Sequence, residues 1–396
     1  MSARHLLALD APVGDQAVAD LLPRLRAALD GSGPALVLLP PGPPSLRQAL
    51  ARAAAAGLPP EPADVALVVP TSGSTGVPRL ALLTRQALAA SATATDHVLG
   101  GTGSYLLALP TSHVAGVMVL VRSVLGGRDV AVMDQSQGFT PQAFSRAVGA
   151  LLDRDDGSAR RCSLVPTQLT RLVDAGGPAT TALAALDTVL LGGAAPPADL
   201  VERARRAGVN VVLTYGMTET CGGCVYDGRP LPGTELAVDD SGRIRIRGTT
   251  LFAGYLGRPE LTARSLVDGW LVTDDLGEIA DDGRLHVLGR ADDVIVSGGV
   301  NISPGRVEAA VATYPRVSDA VVVPRLDAEW GQLVVAVVEV ETGGPPDLAA
   351  LRVHLRDLLS PAEMPRRLVV VDALPRLPSG KPDRAAVRTL IAAAQA

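Results

Sequence analysis

The chain has 396 residues, 47% apolar and 19% charged, enough to bury cores and too hydrophobic for a disordered or solvating tail. At about 150 residues per domain, the length predicts two or three domains. The 36 basic and 41 acidic residues leave a formal charge of −5, aromatics are only 3%, and no basic cluster is interleaved with them, so nucleic acid is excluded as an expected partner.

From Ala63 to Gly223 apolar runs of strand length alternate with helix-like segments. ADVALVVP reads as a buried strand entering a loop, and Thr84 is placed to cap a helix RQALAASATATDHVL. YLLALP reads as a strand, and VAGVMVLVRSVL as a helix stopped by Gly126 and Gly127. DTVLLGG, the helix PADLVERARRA closed by Gly208, and NVVLTYG repeat the pattern. Strand, helix, strand in this order predicts an α/β fold with largely parallel strands, whose ligands lie beyond the strands' carboxyl ends. The loops TSGSTG, GGAA and YGMTE fall there.

No Asp, Glu, Lys or Arg lies between Asp96 and Arg122. Interruption by GGTGS and PTSH marks this stretch as buried core and not a membrane span. ALARAAAAGLPPEPA reads as a helix and a surface connection. After Tyr226 short segments such as GRIRIRG and DGRLHVLG predict antiparallel hairpins. Beyond Arg290 a compact β/α set follows, from DDVIVSGG through PGRVEAAVATY, DAVVVP, QLVVAVVEVE and DLAALRVHLRDLL to RRLVVVD. The expected domains are 1–290 and 291–396, with the boundary near Arg290 to Asp293.

Cys162, Cys221 and Cys224 are too few to staple a chain of this length, and MSARHLLALDAPVG has no extended apolar run before a cleavage site, so a cytoplasmic location is expected. Cys221-Gly-Gly-Cys224 has redox-motif spacing, but with no second cysteine pair for zinc it reads as pocket lining. All but one of the 36 basic residues are arginine, and the exception is Lys381. A solvated surface tolerates Arg for Lys, whereas a site needing a compact ammonium on a flexible stem does not. Thr71-Ser72-Gly73-Ser74-Thr75-Gly76, followed by Arg79, suits a loop wrapped around phosphates, with amides and hydroxyls donating hydrogen bonds and Arg79 adding charge. It lacks the Gly-Lys-Ser/Thr ending of the Walker pattern.

Taken with LPTSHVAG, LLGGAAPP, TYGMTET, WLVTDDLG, GRADDVIVSGGVNISPGRVE and LPSGKPDR, this loop resembles the adenylate-forming superfamily of acyl-CoA synthetases from about Ala63 to Arg384. The resemblance implies a large N-terminal α/β domain with a β-rich subdomain and a small mobile α+β C-terminal domain. It also implies two half-reactions, in which a carboxylate and MgATP give an acyl-adenylate and a thiol then displaces AMP. Matched residue by residue, Tyr215 would lie against adenine, with Gly192, Gly193 and Ala194 lining that pocket and Gly216 and Met217 beside it. Thr218 would contact phosphate, Glu219 would bind Mg²⁺, and Asp275 and Arg290 would hold the ribose hydroxyls. Read by themselves, Tyr215 is equally a core residue and Asp275 a turn residue. Lys381 matches the catalytic lysine, Asp292 the domain pivot, and Gly298 and Gly299 the loop facing the CoA thiol tunnel.

Two positions depart from the family pattern. Arg79 stands where Lys is usual, and Thr273-Asp274-Asp275 replaces Thr-Gly-Asp. Asp274 removes a permissive glycine and adds negative charge near the ribose position.

His113 matches the residue beside the carboxylate pocket, where it would orient substrate. Arg122, nine residues on, is a charge embedded in an apolar helix, which is costly without an anion, either a substrate or an internal salt-bridge partner. With TYGMTETCGGCVYDG, which contributes Gly222 and Gly223 to substrate binding, this pattern is similar to the o-succinylbenzoate-CoA ligases of menaquinone biosynthesis in their short actinobacterial form. Arg122 would then hold the aromatic carboxylate while the succinyl one reacts. The implied partners are small molecules, o-succinylbenzoate, ATP, Mg²⁺ and CoA, with no membrane span and the oligomeric state left open, a homo-oligomer included. Other aryl- or acyl-CoA ligases, and a nucleotide-binding regulatory relative that no longer ligates, are the alternatives.

Overall fold

A computed structural model describes residues 5–40, 47–48, 52, 64–71, 79–136, 138–154, 157–197, 199–327, 329–340, 347–376 and 382–393. The expected helix and connection from Ala49 to Ala63 fall, apart from Arg52, outside the described residues. By compactness the chain forms two units. One comprises Met1–Gly193, Arg203–Ala237 and Arg245–Val272, and the other Ala194–Glu202, Val238–Ile244 and Thr273–Ala396.

Among the described residues, an antiparallel sheet of Thr234–Val238, Arg243–Gly248, Trp270–Ile279, Leu266–Val267 and Leu285–Arg290, which contains the expected hairpins, is divided between the units. Two further sheets lie wholly in the first unit. β1 (Leu6–Asp10), β2 (Ala35–Leu39), β3 (Val65–Thr71) and β4 (Arg79–Thr84) lie in that order, and the two-residue strand Gly254–Tyr255 pairs with β4. The second sheet contains β5 (Gly103–Leu107), β6 (Val130–Val132), β7 (Ala159–Leu164), β8 (Thr188–Leu191), β9 (Val211–Met217), β10 (Gly222–Tyr226) and β11 (Arg229–Pro230), ordered β11-β10-β9-β8-β7-β5-β6. From β6 through β9 the pairings are parallel, as the buried apolar runs predict, and β9 to β11 turn antiparallel.

Helix limits follow local chemistry. Thr84 accepts a hydrogen bond from the Ala87 amide to open the helix Arg85–Val98, and Gly127, left-handed, closes Val114–Gly126. In the latter helix Val117, Met118, Val119, Leu120 and Val121 are fully buried, each worth about 1.5–3 kcal/mol. That burial is what holds Arg122 inside the protein. No described helix is long and apolar enough to cross a membrane.

In the second unit the strands Val300–Ile302, Ile295–Ser297, Gly331–Val340 and Val317–Asp327 lie in that order, and Arg367–Val371 joins Gly331–Val340 in parallel. Alternation with period two sends Val322, Val334 and Ala336 to one face, with Val307 and Val311 of the helix Pro304–Val311. Val321, Val323, Val335 and Val337 face the other way, with Val387 and Ile391 of the helix Arg384–Ala393. Compactness assigns residues 273–290 to this unit, where Leu288 accepts a hydrogen bond through its carbonyl from Ser303 Oγ.

Candidate active site

In the first unit three of the segments singled out from the sequence lie at the carboxyl ends of parallel strands. Pro110–His113 follows β5, Gly192 and Gly193 follow β8, and the turn Thr218–Thr220 follows β9. Strand order reverses around β5, which is flanked by β6 and β7, the position at which open α/β sheets take ligands. Thr71 and Arg79 are register partners in the β3–β4 hairpin. Ser72, Gly73, Ser74, Thr75 and Gly76 lie outside the described residues.

The β9–β10 hairpin is built on close backbone approach. A Cβ added to Gly216 would fall 2.1 Å from the Gly222 carbonyl oxygen, and one on Gly192 2.3 Å from Thr214 Oγ1. Tyr215, half-buried, pairs in register with Val225, Gly216 with Gly223, and Met217 with Gly222. Thr220, fully buried, accepts from the Met217 amide at 2.9 Å and donates to the Gly222 carbonyl at 2.7 Å, fixing the turn that carries Thr218 and Glu219.

Glu219 is a buried carboxylate whose Oε1 accepts a 2.6 Å hydrogen bond from the Tyr255 hydroxyl. Burial, then the neighbouring Glu219 charge, push the Tyr255 phenol above its ordinary range, so it stays protonated and donates. The Arg79 guanidinium lies 5.8 Å from the Tyr255 ring centroid. No cation forms a salt bridge with Glu219 among the described residues. Tyr255 escaped the sequence reading, although a buried carboxylate at Glu219 implies a donor somewhere.

His113 is exposed at the N-cap of Val114–Gly126. On this helix Met118 and Arg122 share a face, and an added Cβ at Gly222 would touch Met118 Cγ at 3.5 Å. Arg122 is 5% exposed, its Nε is buried without a partner, and its guanidinium lies 5.8 Å from the Tyr105 ring centroid. Among the described residues it makes no hydrogen bond or ion pair, so the internal salt bridge allowed by the sequence is not formed there. Asp96 pairs instead with Arg161, at 3.3 Å.

Cys221 and Cys224 are fully buried free thiols on either side of Gly222 and Gly223. Burial pushes both up, Cys224 to about 12. Such protonated, enclosed thiols line the hairpin and do not present a redox pair.

In the second unit Asp275 and Arg290 are register partners, 3.6 Å apart at Oδ1 and Nη1. Asp274, the acid in place of a family glycine, receives Arg243 Nη1 at 3.2 Å and Arg290 Nη2 at 3.5 Å, and its backbone is not left-handed. The extra charge is thus paired and the missing glycine is not needed. Asp292 lies in the turn Ala291–Asp293. Gly298 and Gly299, with φ of 58° and 81°, form the two-residue turn joining Ile295–Ser297 to Val300–Ile302, a conformation that selects glycine. Ala194 also falls in this unit.

Lys381 lies outside the described residues, but its flanks do not. Arg376 and Pro382 form a β-bridge, and the Asp383 amide donates to the Pro375 carbonyl at 2.8 Å. Arg384 pairs with Glu308 at 2.7 Å and Asp293 at 3.4 Å, and donates to the Val322 carbonyl at 2.8 Å.

The sheet that carries Gly192, Gly193, the β9–β10 glycine hairpin and the buried Glu219 at its carboxyl ends is that of an enzyme family that binds AMP, for the chain belongs to the AMP-binding enzyme family. That family's model matches residues 8–256, and the model of its C-terminal domain matches residues 306–381. The chain is 48% identical over 385 residues to a probable 2-succinylbenzoate–CoA ligase of Mycobacterium tuberculosis, covering 96% of this chain and 97% of the relative. The solved o-succinylbenzoate CoA synthetase of Bacillus subtilis in complex with its acyl-adenylate intermediate superposes with a TM-score of 0.69 at 29% identity, covering 82% and 69% of the two chains. The same Bacillus enzyme with ATP and magnesium ion gives a TM-score of 0.68 at 29% identity, covering 82% and 70%.

Proposed function

We propose that the chain is an AMP-forming acid-thiol ligase that joins o-succinylbenzoate to CoA. In the first half-reaction a succinyl carboxylate oxygen attacks the α-phosphorus of ATP, the bond to the β-phosphate oxygen breaks, and pyrophosphate leaves. In the second, the CoA sulfur attacks the acyl carbon and AMP departs with the bonding pair. The relatives of known name support this reading.

Glu219 suits Mg²⁺. It is a hard oxygen donor whose carboxylate has one protein hydrogen bond among the described residues, which leaves oxygen lone pairs for an ion shared with substrate phosphates. When bound, Mg²⁺ neutralises phosphate charge as pyrophosphate leaves. Around it the chain's own groups bind and orient. Tyr255 fixes the Glu219 carboxylate through one oxygen, Thr218 and the 71–76 loop donate to phosphate, and Arg79 adds charge. Tyr215 stacks on adenine beside Gly192, Gly193 and Ala194, and Asp275 accepts from ribose hydroxyls with Arg290 beside it.

His113 orients the reacting carboxylate. Lys381 stabilises charge that develops in the adenylation transition state. The 291–396 domain then pivots at Asp292 to bring Gly298 and Gly299 to the CoA thiol. ATP and CoA are metabolites of the cytoplasm, where we place the reaction.

The observation that carries the substrate assignment is Arg122, a buried guanidinium with no counter-anion among the described residues. A substrate with a second carboxylate supplies that anion, and a simple fatty acid does not. Arg122→Ala is expected to lower kcat/KM for o-succinylbenzoate by about 2 to 4 kcal/mol, through KM, with the KM for ATP unchanged. Equal use of o-succinylbenzoate and of 4-oxo-4-phenylbutanoate, which lacks the ring carboxylate, by the unmodified protein contradicts the assignment.

A further inference from the structure

Around the buried Tyr105 lies a group of charges, the buried Arg122 and Arg161 and the half-buried Asp96, of which the proposed chemistry uses only Arg122. Arg161, 1% exposed, donates from Nη1 to Asp96 Oδ1 at 3.3 Å and from Nη2 to the Leu99 carbonyl at 2.7 Å. Its guanidinium lies 5.9 Å from the Tyr105 ring centroid, and that of Arg122 lies 5.8 Å from the same centroid. Tyr105, fully buried, is therefore in cation–π range of both arginines. The group holds two cations and one acid, and Asp96 is the only carboxylate that any ion pair places on either arginine among the described residues.

Charge balance makes the choice of partner consequential. A buried cation without an anion is costly, so Asp96 is the natural internal partner of either arginine. Arg161 is the register neighbour of Tyr105 on the adjacent strand, and Arg122 faces the same ring. While burial raises the Asp96 carboxyl above its ordinary range, Arg161 first and Arg122 second oppose that rise. Geometry assigns it to Arg161. The Leu99 carbonyl fixes the second guanidinium nitrogen, which sets the fork toward Asp96 and leaves the Arg122 charge uncompensated.

We propose that Arg161 is a specificity-determining positioning residue: by holding Asp96, it keeps Arg122 free to bind the second carboxylate of the substrate. This rests on the reading of Arg122 as a substrate-carboxylate receptor. Without Arg161, Asp96 neutralises Arg122 and the protein becomes its own competitor for that site. The effect is on binding of dicarboxylates, not on chemistry at the succinyl carboxylate.

The test uses the full chain with pyrophosphate release as readout and folding checked by thermal melting. Arg161→Met is expected to raise the KM for o-succinylbenzoate about tenfold or more, with kcat and the KM for ATP within about twofold of the unmodified values. Arg161→Lys, which can still hold Asp96, is expected to leave KM nearly unchanged. Adding Asp96→Asn to Arg161→Met removes the competing anion and is expected to restore most of the lost affinity.

Because Arg161→Met can also unfold the chain, Asp96→Asn alone provides an independent measurement. It is expected to lower the KM for o-succinylbenzoate while lowering the melting temperature, and a merely damaged pocket would raise KM. Unchanged KM in folded Arg161→Met, a KM not improved by the second substitution, or a raised KM in Asp96→Asn overturns the proposal. If the unmodified protein prefers o-succinylbenzoate to 4-oxo-4-phenylbutanoate and folded Arg161→Met keeps that preference in full, only the role of Arg161 fails. If the unmodified protein shows no preference, the reading of Arg122 fails and takes this proposal with it.

Discussion

Tyr255, like any tyrosine, carries its proton near neutral pH, burial and the Glu219 charge disfavour the phenolate further, and that proton is the one that orients Glu219. Removing that donor leaves a buried carboxylate free to rotate. Tyr255→Phe is expected to raise the Mg²⁺ concentration needed for half-maximal pyrophosphate release about 10- to 100-fold, the usual cost of losing a partner behind a metal ligand. Unchanged Mg²⁺ dependence in the folded variant would show that Glu219 does not need orienting. The thiols give a second check at this scale. With Cys162, Cys221 and Cys224 all fully buried and their thiols pushed up by burial, none is a thiolate near neutral pH. Native protein at pH 8 is expected to resist a thiol-reactive chromophore that titrates all three in urea, and rapid reaction of the Cys221–Cys224 pair would reopen the redox reading.

Elements built from local pattern were legible, and those built from distant pairing were not. Apolar periodicity, the Thr84 cap and the Gly127 stop placed the helices around Arg122, and apolar runs placed the Val317–Asp327 and Gly331–Val340 strands, whose two faces only the structure assigns. The opening β1, helix Asp15–Asp30 and β2 went unread, since the helix carries Pro23 in its interior, a residue that ordinarily breaks one. Tyr255 reaches Glu219 through a two-residue strand paired with β4, too short for any periodicity, and Asp274 is neutralised by Arg243 from a different strand. Such partners are set by tertiary contact, which spacing along the chain does not encode. The β9–β10 hairpin stands between these cases, because its glycines were noticed but their reason is the 2.1 Å approach at Gly216. Gly216→Ala is expected to cost about 1–3 kcal/mol, read as a lower urea midpoint, since the clash is with backbone. A midpoint unchanged by the substitution would mean that the hairpin opens at little cost.

At the scale of the whole chain the account requires two half-reactions served by different faces of the 291–396 domain. Asp292→Pro fixes φ in the turn proposed as pivot, so it is expected to slow thioester formation while single-turnover adenylation stays near normal. Equal loss in both half-reactions would place the pivot elsewhere. Arg384, tied to Glu308, Val322 and Asp293, connects the residues after Lys381 to the turn that holds Asp292. Whether the molecule joins a dicarboxylate to CoA is decided most directly by incubating it with MgATP and a panel of carboxylates, with and without CoA, and identifying products by mass. The account predicts AMP, pyrophosphate and a CoA thioester of o-succinylbenzoate, with the acyl-adenylate alone when CoA is omitted and far less product from monocarboxylates. Absence of o-succinylbenzoate-dependent pyrophosphate release, or an adenylate that CoA does not discharge, would contradict it.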